Sequence, residues 1–193
     1  MTDTRGPQAR ELVQDLTTSK VREIANARFG KQDLLRFWFG ESTRSTPQYV
    51  RQAAADALTA GRTFYTHNNG NADLRTALAE YLTDLHQRPF EAAQISVTSS
   101  GVSALMIAMQ ALVDPGDRVV VVTPVWPNVA EIPRILGAQV VRFALKPTVA
   151  GWALELDAFL ESITPDTRLV LVNSPNNPTG WTVDSDDRRA ILD

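Results

Sequence analysis

Residues 118–123 read Arg-Val-Val-Val-Val-Thr. A strand with one wet face alternates apolar and polar side chains, because successive residues point to opposite faces. Four consecutive valines leave no polar face, so this stretch predicts a strand covered on both sides, as in a parallel sheet sandwiched by helices. Upstream, residues 101–113 (GVSALMIAMQALV) predict a helix, apolar nearly all round and therefore expected to be buried. The turn Asp114-Pro115-Gly116-Asp117 separates the two. Residues 95–98 predict a short strand before that helix. Downstream, a helix over 128–136 stops at Gly137, a strand covers 139–143, a helix 156–163, and a second buried strand 168–173 (RLVLVN). Lys146-Pro147 reads as a surface loop, and a last helix starts at Asp184. Repeated strand–helix–strand units imply an α/β chain with a mostly parallel sheet in a three-layer α/β/α arrangement.

The first hundred residues have a different texture. A polar stretch, residues 1–20, is expected to be loosely held. A helix over 21–29 is ended by Gly30, and another reaches Ala60 with Pro47 in its first turn and Gly61 as its stop. Residues 72–87 carry Leu74, Leu78, Tyr81, Leu82 and Leu85 at helical spacing. The domain expectation is an N-terminal arm and small-domain segment over 1–46 and a large domain over 47–193.

The 193 residues carry a net charge of −3 and no dense block of Lys and Arg, so neither nucleic acid nor an anionic membrane is expected as partner. Without Cys there are no disulfides, thiolate metal sites or thiol nucleophiles. No metal is expected. The N-terminus MTDTRGPQAR has no apolar signal core, and no apolar run approaches the roughly 18–20 residues of a membrane span. The expected location is the cytoplasm.

Ligands of parallel sheets sit beyond the carboxyl ends of strands, so the segments after Thr98, Thr123 and Val172 carry the functional question. In the first, Ser99-Ser100-Gly101-Val102 opens a helix and points backbone N–H groups and a positive dipole end outward, which suits a phosphate. A plain Ser-capped helix gives the same pattern. In the second, Pro124-Val125-Trp126-Pro127 offers a rigid indole plane for a flat ligand, or a space-filling core Trp. In the third, Asn173-Ser174-Pro175-Asn176-Asn177-Pro178-Thr179-Gly180 packs two prolines, three asparagines and a glycine into eight residues, a stiff loop able to hold side chains in register. No Walker pattern and no G-x-G-x-x-G occur.

NSPNNPTG, with TSSGVSAL and TPVWPN in that order ahead of it, resembles the fold-type I pyridoxal-phosphate enzymes, and among them the class I/II aminotransferases. The resemblance runs from about Leu34 to the end. It implies the pyridoxal-phosphate transferase large domain in part, preceded by a helical segment of the small domain. It implies that the backbone of Ser100, Gly101 and Val102 cradles the phosphate of pyridoxal 5'-phosphate, that Trp126 stacks on the pyridine ring, and that the Asn177 amide donates to the ring's phenolic oxygen. Tyr65, in FYTHNNGNADLR, matches a Tyr that reaches the phosphate of a neighbouring subunit, which implies a homodimer. Gly40, in FWFGEST, matches a Gly beside the substrate carboxylate, although Ser42 stands where the family usually has Pro. The implied reaction moves an amino group between an amino acid and a 2-oxo acid. Relatives on the same fold include C–S lyases, cyclopropane-carboxylate-forming synthases and non-catalytic regulatory modules.

In the family, the Lys that holds the cofactor, the carboxylate beside its pyridine nitrogen and the Arg that grips substrate all follow the NNPTG loop. The lysines here are Lys20, Lys31 and Lys146, and none follows Gly180. Asp184, Asp186 and Asp187 read as the acidic first turn of a helix. The expectation is an N-terminal fragment of an aminotransferase that contains no catalytic residue and is inactive alone.

Overall fold

The computed structural model describes residues 8–193; residues 1–7 of the polar N-terminal stretch lie outside that description. The helices are α1 (Glu11–Gln14), α2 (Lys20–Asn26), α3 (Gln48–Thr59), α4 (Ala72–His86), α5 (Gly101–Leu112), α6 (Pro127–Ile135), α7 (Leu156–Glu161) and α8 (Ser185–Leu192). The strands are β1 (Arg118–Thr123), β2 (Gln139–Ala144), β3 (Lys146–Thr148), β4 (Gly151–Ala153) and β5 (Thr167–Leu171). Thr18–Ser99 form one compact unit, with α2 to α4; residues 8–17 and Ser100–Asp193 form the other, with the remaining helices and these strands.

In the second unit β1 is the middle of a three-stranded sheet ordered β2-β1-β5, parallel on both sides. The four valines behave as their run demands, at 0–2% exposure. Val119 and Val121 face a cluster with Met109 of α5 and Ala130 and Ile132 of α6. Val120 and Val122 face the opposite cluster, with Phe159 of α7 and, at its margin, Ile191 of α8. Each valine taken out of water contributes about 1.5–3 kcal/mol. The two clusters alternate along one strand, which is the expected three-layer α/β/α architecture with its parallel sheet.

Sharp turns hold the connections to length. Gly137 ends α6 at φ +97, and a Cβ there would come within 3.1 Å of Pro115 Cβ, so the turn after the helix needs glycine on both counts. Gly116 N–H donates to the Gly137 carbonyl at 2.9 Å, tying the turns before β1 and β2 together. Arg168 Nε donates to the Leu112 carbonyl at 2.7 Å and so satisfies an acceptor at the C-terminal end of α5.

Three expectations need correction. Residues 95–98 form no strand, because their polar groups pair elsewhere: Val97 N–H with the Asn69 carbonyl at 2.9 Å, and the Ile95 carbonyl with Arg75 Nε at 2.8 Å. Lys146-Pro147 is not a plain loop but the start of β3, which pairs antiparallel with β4. Helix α5 is not buried all round: Met109 is its one buried residue, while Ile107 and Leu112 are exposed. Only one side of α5 meets the core cluster with Val119 and Val121.

Candidate functional site

The site is built where β1 and β5 end. Val122 gives way to Thr123, whose carbonyl accepts from Leu145 N–H at 2.6 Å, and then to Pro124, Val125 and Trp126. Trp126 is the N-cap of α6, with Pro127 in the first turn where a missing N–H costs nothing. Trp126 stands 36% exposed. After β5, the segment Asn173–Gly180 turns back toward the same place. The Thr123–Pro124, Ser174–Pro175 and Asn177–Pro178 peptides are cis.

Two contacts clamp these segments. Trp126 N–H donates to the Asn177 carbonyl at 2.7 Å. Asn176 Nδ2 donates to the Pro124 carbonyl at 2.8 Å and to Thr179 Oγ1 at 2.8 Å. Asn176 Oδ1 accepts from Asn173 Nδ2 at 3.3 Å, its N–H donates to the Trp181 carbonyl at 2.8 Å, and its carbonyl accepts from Gly180 N–H at 2.8 Å. Asn177 is exposed beside it. Sequence reasoning singled out Asn177 and passed over Asn176; the signal was the run of three asparagines, which does not say which one turns inward.

Ser100 is the N-cap of α5, its Oγ accepting from Ser103 N–H at 3.1 Å. The first intrahelical bond runs from Ala104 N–H to the Ser100 carbonyl at 3.0 Å, so the N–H groups of Gly101 and Val102 precede the helical ladder. A Cβ built at Gly101 meets no atom within 4 Å outside its chain neighbours and its own helix backbone, so a side chain there would stand in open space. Val102 and Val125 pack against the same core cluster, so the starts of α5 and α6 rest on one face of the sheet. Since residues 95–98 form no strand, the Ser100–Val102 turn follows an irregular segment rather than a strand of this sheet.

Tyr65 and Gly40 belong to the Thr18–Ser99 unit. Tyr65 is fully exposed at 106%, and Gly40 is exposed with nothing within 4 Å of a built Cβ. Asp184 caps α8, its Oδ1 accepting from Asp186 N–H at 3.0 Å and Asp187 N–H at 2.9 Å, as an acidic first turn should. Partial burial, then the negative charges of Asp184 and Asp186, hold the Asp187 carboxyl above its usual range. A cavity of about 620 Å³ lies between β4, Trp181 and the start of α8. It shares Thr179 and Gly180 with the Asn173–Gly180 loop but is not lined by Ser100–Val102, Trp126 or Asn177. Lys146 is exposed and ion-paired with Glu155 at 3.6 Å. No helix among the described residues is long and apolar enough to cross a membrane.

The chain is 31% identical over 175 residues to an aspartate aminotransferase of Pyrococcus horikoshii, covering 91% of this chain and 44% of that one. The crystal structure of the aspartate aminotransferase from Rhizobium meliloti superposes with a TM-score of 0.84 at 33% identity, covering 97% of this chain and 48% of that one. Aspartate aminotransferase from Thermus thermophilus with maleate gives 0.85 at 32%, covering 96% and 50%. The chain thus spans about half the length of the relatives it matches. The family model for aminotransferase class I and II matches residues 32–193, strand-end loops included, and the chain belongs to that family.

Proposed function

We propose that this chain supplies the phosphate cradle, the ring-stacking indole and the phenolic-oxygen donor of a pyridoxal 5'-phosphate site, in an aminotransferase that passes an amino group between an amino acid and a 2-oxo acid. The single observation that carries the reading is the 2.7 Å bond from Trp126 N–H to the Asn177 carbonyl, which holds the two loops at the ends of adjacent parallel strands together. The residues fit the group. Trp126, a residue more than one-third exposed, can offer its indole to a ring, and the neighbouring exposed Asn177 can offer its amide as donor. At the start of α5, the N–H groups of Gly101 and Val102 precede the helical ladder, the chemistry a phosphate takes, and Gly101 has open space where a side chain would stand. Bound there, the cofactor would supply an electron sink for charge at the substrate's α-carbon. A donor at Asn177 favours the ionised phenolic oxygen.

The substrate side belongs to the same proposal. Gly40 is taken to lie beside the substrate carboxylate, and Tyr65, fully exposed, to reach the phosphate of a second subunit in a homodimer. Relatives bear names for aspartate, prephenate and N-acetyl-LL-diaminopimelate, so an amino acid and a 2-oxo acid are the substrate classes and not one compound. Lys146 is exposed on β3, where it is ion-paired with Glu155, and is not taken as the residue that holds the cofactor.

Titration with pyridoxal phosphate, read by tryptophan emission, tests the reading. The expected result is saturable quenching that Trp126→Phe largely abolishes and Asn177→Ala shifts to higher ligand concentration. Quenching left undiminished in Trp126→Phe would sink the assignment of the ring face.

A further inference from the structure

We propose that Asn176 is a positioning residue of this site, a buried amide that sets Trp126 and Asn177 relative to one another; the proposal rests on the cofactor reading above. Asn176 is the one buried polar or charged side chain among the described residues, at 6% exposure. A buried amide must spend its donors or be costly to hold. Asn176 spends both amide protons, on the Pro124 carbonyl and on Thr179 Oγ1, each at 2.8 Å. The orientation of the amide follows from the partners: the Pro124 carbonyl can only accept, so nitrogen must face it.

The two loops are therefore joined at two points. One bond runs from the Asn176 side chain to Pro124, and the other from Trp126 N–H to the Asn177 carbonyl. The partners are two residues apart on one segment and adjacent on the other. One bond alone leaves a hinge about which the loop swings; two fix both distance and direction. Trp126 and Asn177 sit at the outer ends of this clamp, and the bond of Gly180 N–H to the Asn176 carbonyl closes the turn that follows. A site whose first contacts are exposed gains its geometry from such a layer behind it.

Aspartate is nearly the same size but cannot replace this amide. Its carboxylate would turn an acceptor toward the Pro124 carbonyl, whereas the neutral acid could donate to that carbonyl once. The identity of the proton donor is thus the property to test.

Amide hydrogen exchange and cofactor titration on this chain are the measurements. In Asn176→Ala, the Trp126 and Gly180 amides should exchange about tenfold faster or more, while those of Val119–Val122 keep their protection. Pyridoxal-phosphate affinity should fall by about 10–100-fold, the range for a lost supporting contact. In Asn176→Asp, affinity relative to the unsubstituted chain should recover as pH is lowered and the carboxyl protonates. Unchanged exchange at Trp126, equal loss of protection along β1, or an affinity ratio flat with pH would each overturn the positioning role. Asn177→Ala keeps the main-chain bond to Trp126, so it should weaken the cofactor without changing exchange at Trp126. If it leaves affinity untouched, the cofactor reading fails, and the exchange data on Asn176 still decide whether the clamp exists.

Discussion

At Gly101 the space beyond Cα is open, and a methyl group placed there would touch nothing. Ala also has the better helix propensity, by about 1 kcal/mol in a helix interior and less at a first turn. Gly101→Ala is therefore expected to leave thermal stability unchanged or slightly raised, yet to weaken pyridoxal phosphate by filling space the phosphate would use. Calorimetric unfolding and a binding titration on the same sample check both halves; unaltered affinity would remove Gly101 from the cradle. Glycine at position 70 shows the opposite situation, with φ +100 and a built Cβ only 2.7 Å from Val97 Cβ, so its lack of a side chain is a packing need. Residue type alone does not separate these two glycines. The same holds for the asparagines of the Asn173–Gly180 loop. Their number marked the loop as built for a purpose, but burial of Asn176 and exposure of Asn177 depend on where Pro124 lies, fifty-two residues away.

Helix α8 depends at its start on one side chain. It has eight residues and no buried side chain, and Asp184 satisfies two of its first N–H groups. Asp184→Ala should fray it, at a cost of about 1 kcal/mol. Asp184→Asn keeps the cap and removes the charge. The Asp187 carboxyl is held up by partial burial first and by Asp184 and Asp186 next, so in Asp184→Asn it should titrate at lower pH, with helicity kept. A carboxyl raised in the folded state binds its proton more tightly there, so it adds stability as pH falls through its folded value and opposes folding above it. Carbon-detected NMR titration of Asp187 reads the shift, and an unmoved midpoint would mean Asp184 does not act on it. Elements differed in how far sequence disclosed them. The run Val119–Val122 announced β1 because covering on both faces forbids polar residues, and Gly61 and Gly137 announced helix ends, whereas α2 stops at Asn26, four residues short of Gly30. The hairpin of β3 and β4 gave no such signal, since three-residue strands that pair only with each other need no apolar pattern. Residues 95–98 gave a false one, because an extended backbone becomes a strand only when a neighbour strand takes its hydrogen bonds.

Across the whole chain, apolar side chains lie at the surface in both units: Leu35, Phe37 and Phe64 in one, Ile107 and Leu112 in the other. The chain spans about half the length of its relatives. Helix α5 makes the point most sharply. Its composition is that of a helix apolar on every side, which ordinarily lies within a core, yet Ile107 is 56% exposed. The sheet adds unpaired edges, because β2 and β5 each pair on one side only among the described residues. Exposed apolar surface of this kind drives association. The chain in dilute solution is therefore expected to bind an apolar dye such as anilinonaphthalene sulfonate and to self-associate as its concentration rises. Ile107→Glu should lower both, since it places a charge on the open face of α5. It should change unfolding stability by no more than about 1 kcal/mol, because exposed positions carry little of the core energy. Sedimentation velocity over a concentration series, beside the dye titration, decides the matter. A strictly monomeric chain that binds no dye would show that these side chains find cover within the polypeptide itself.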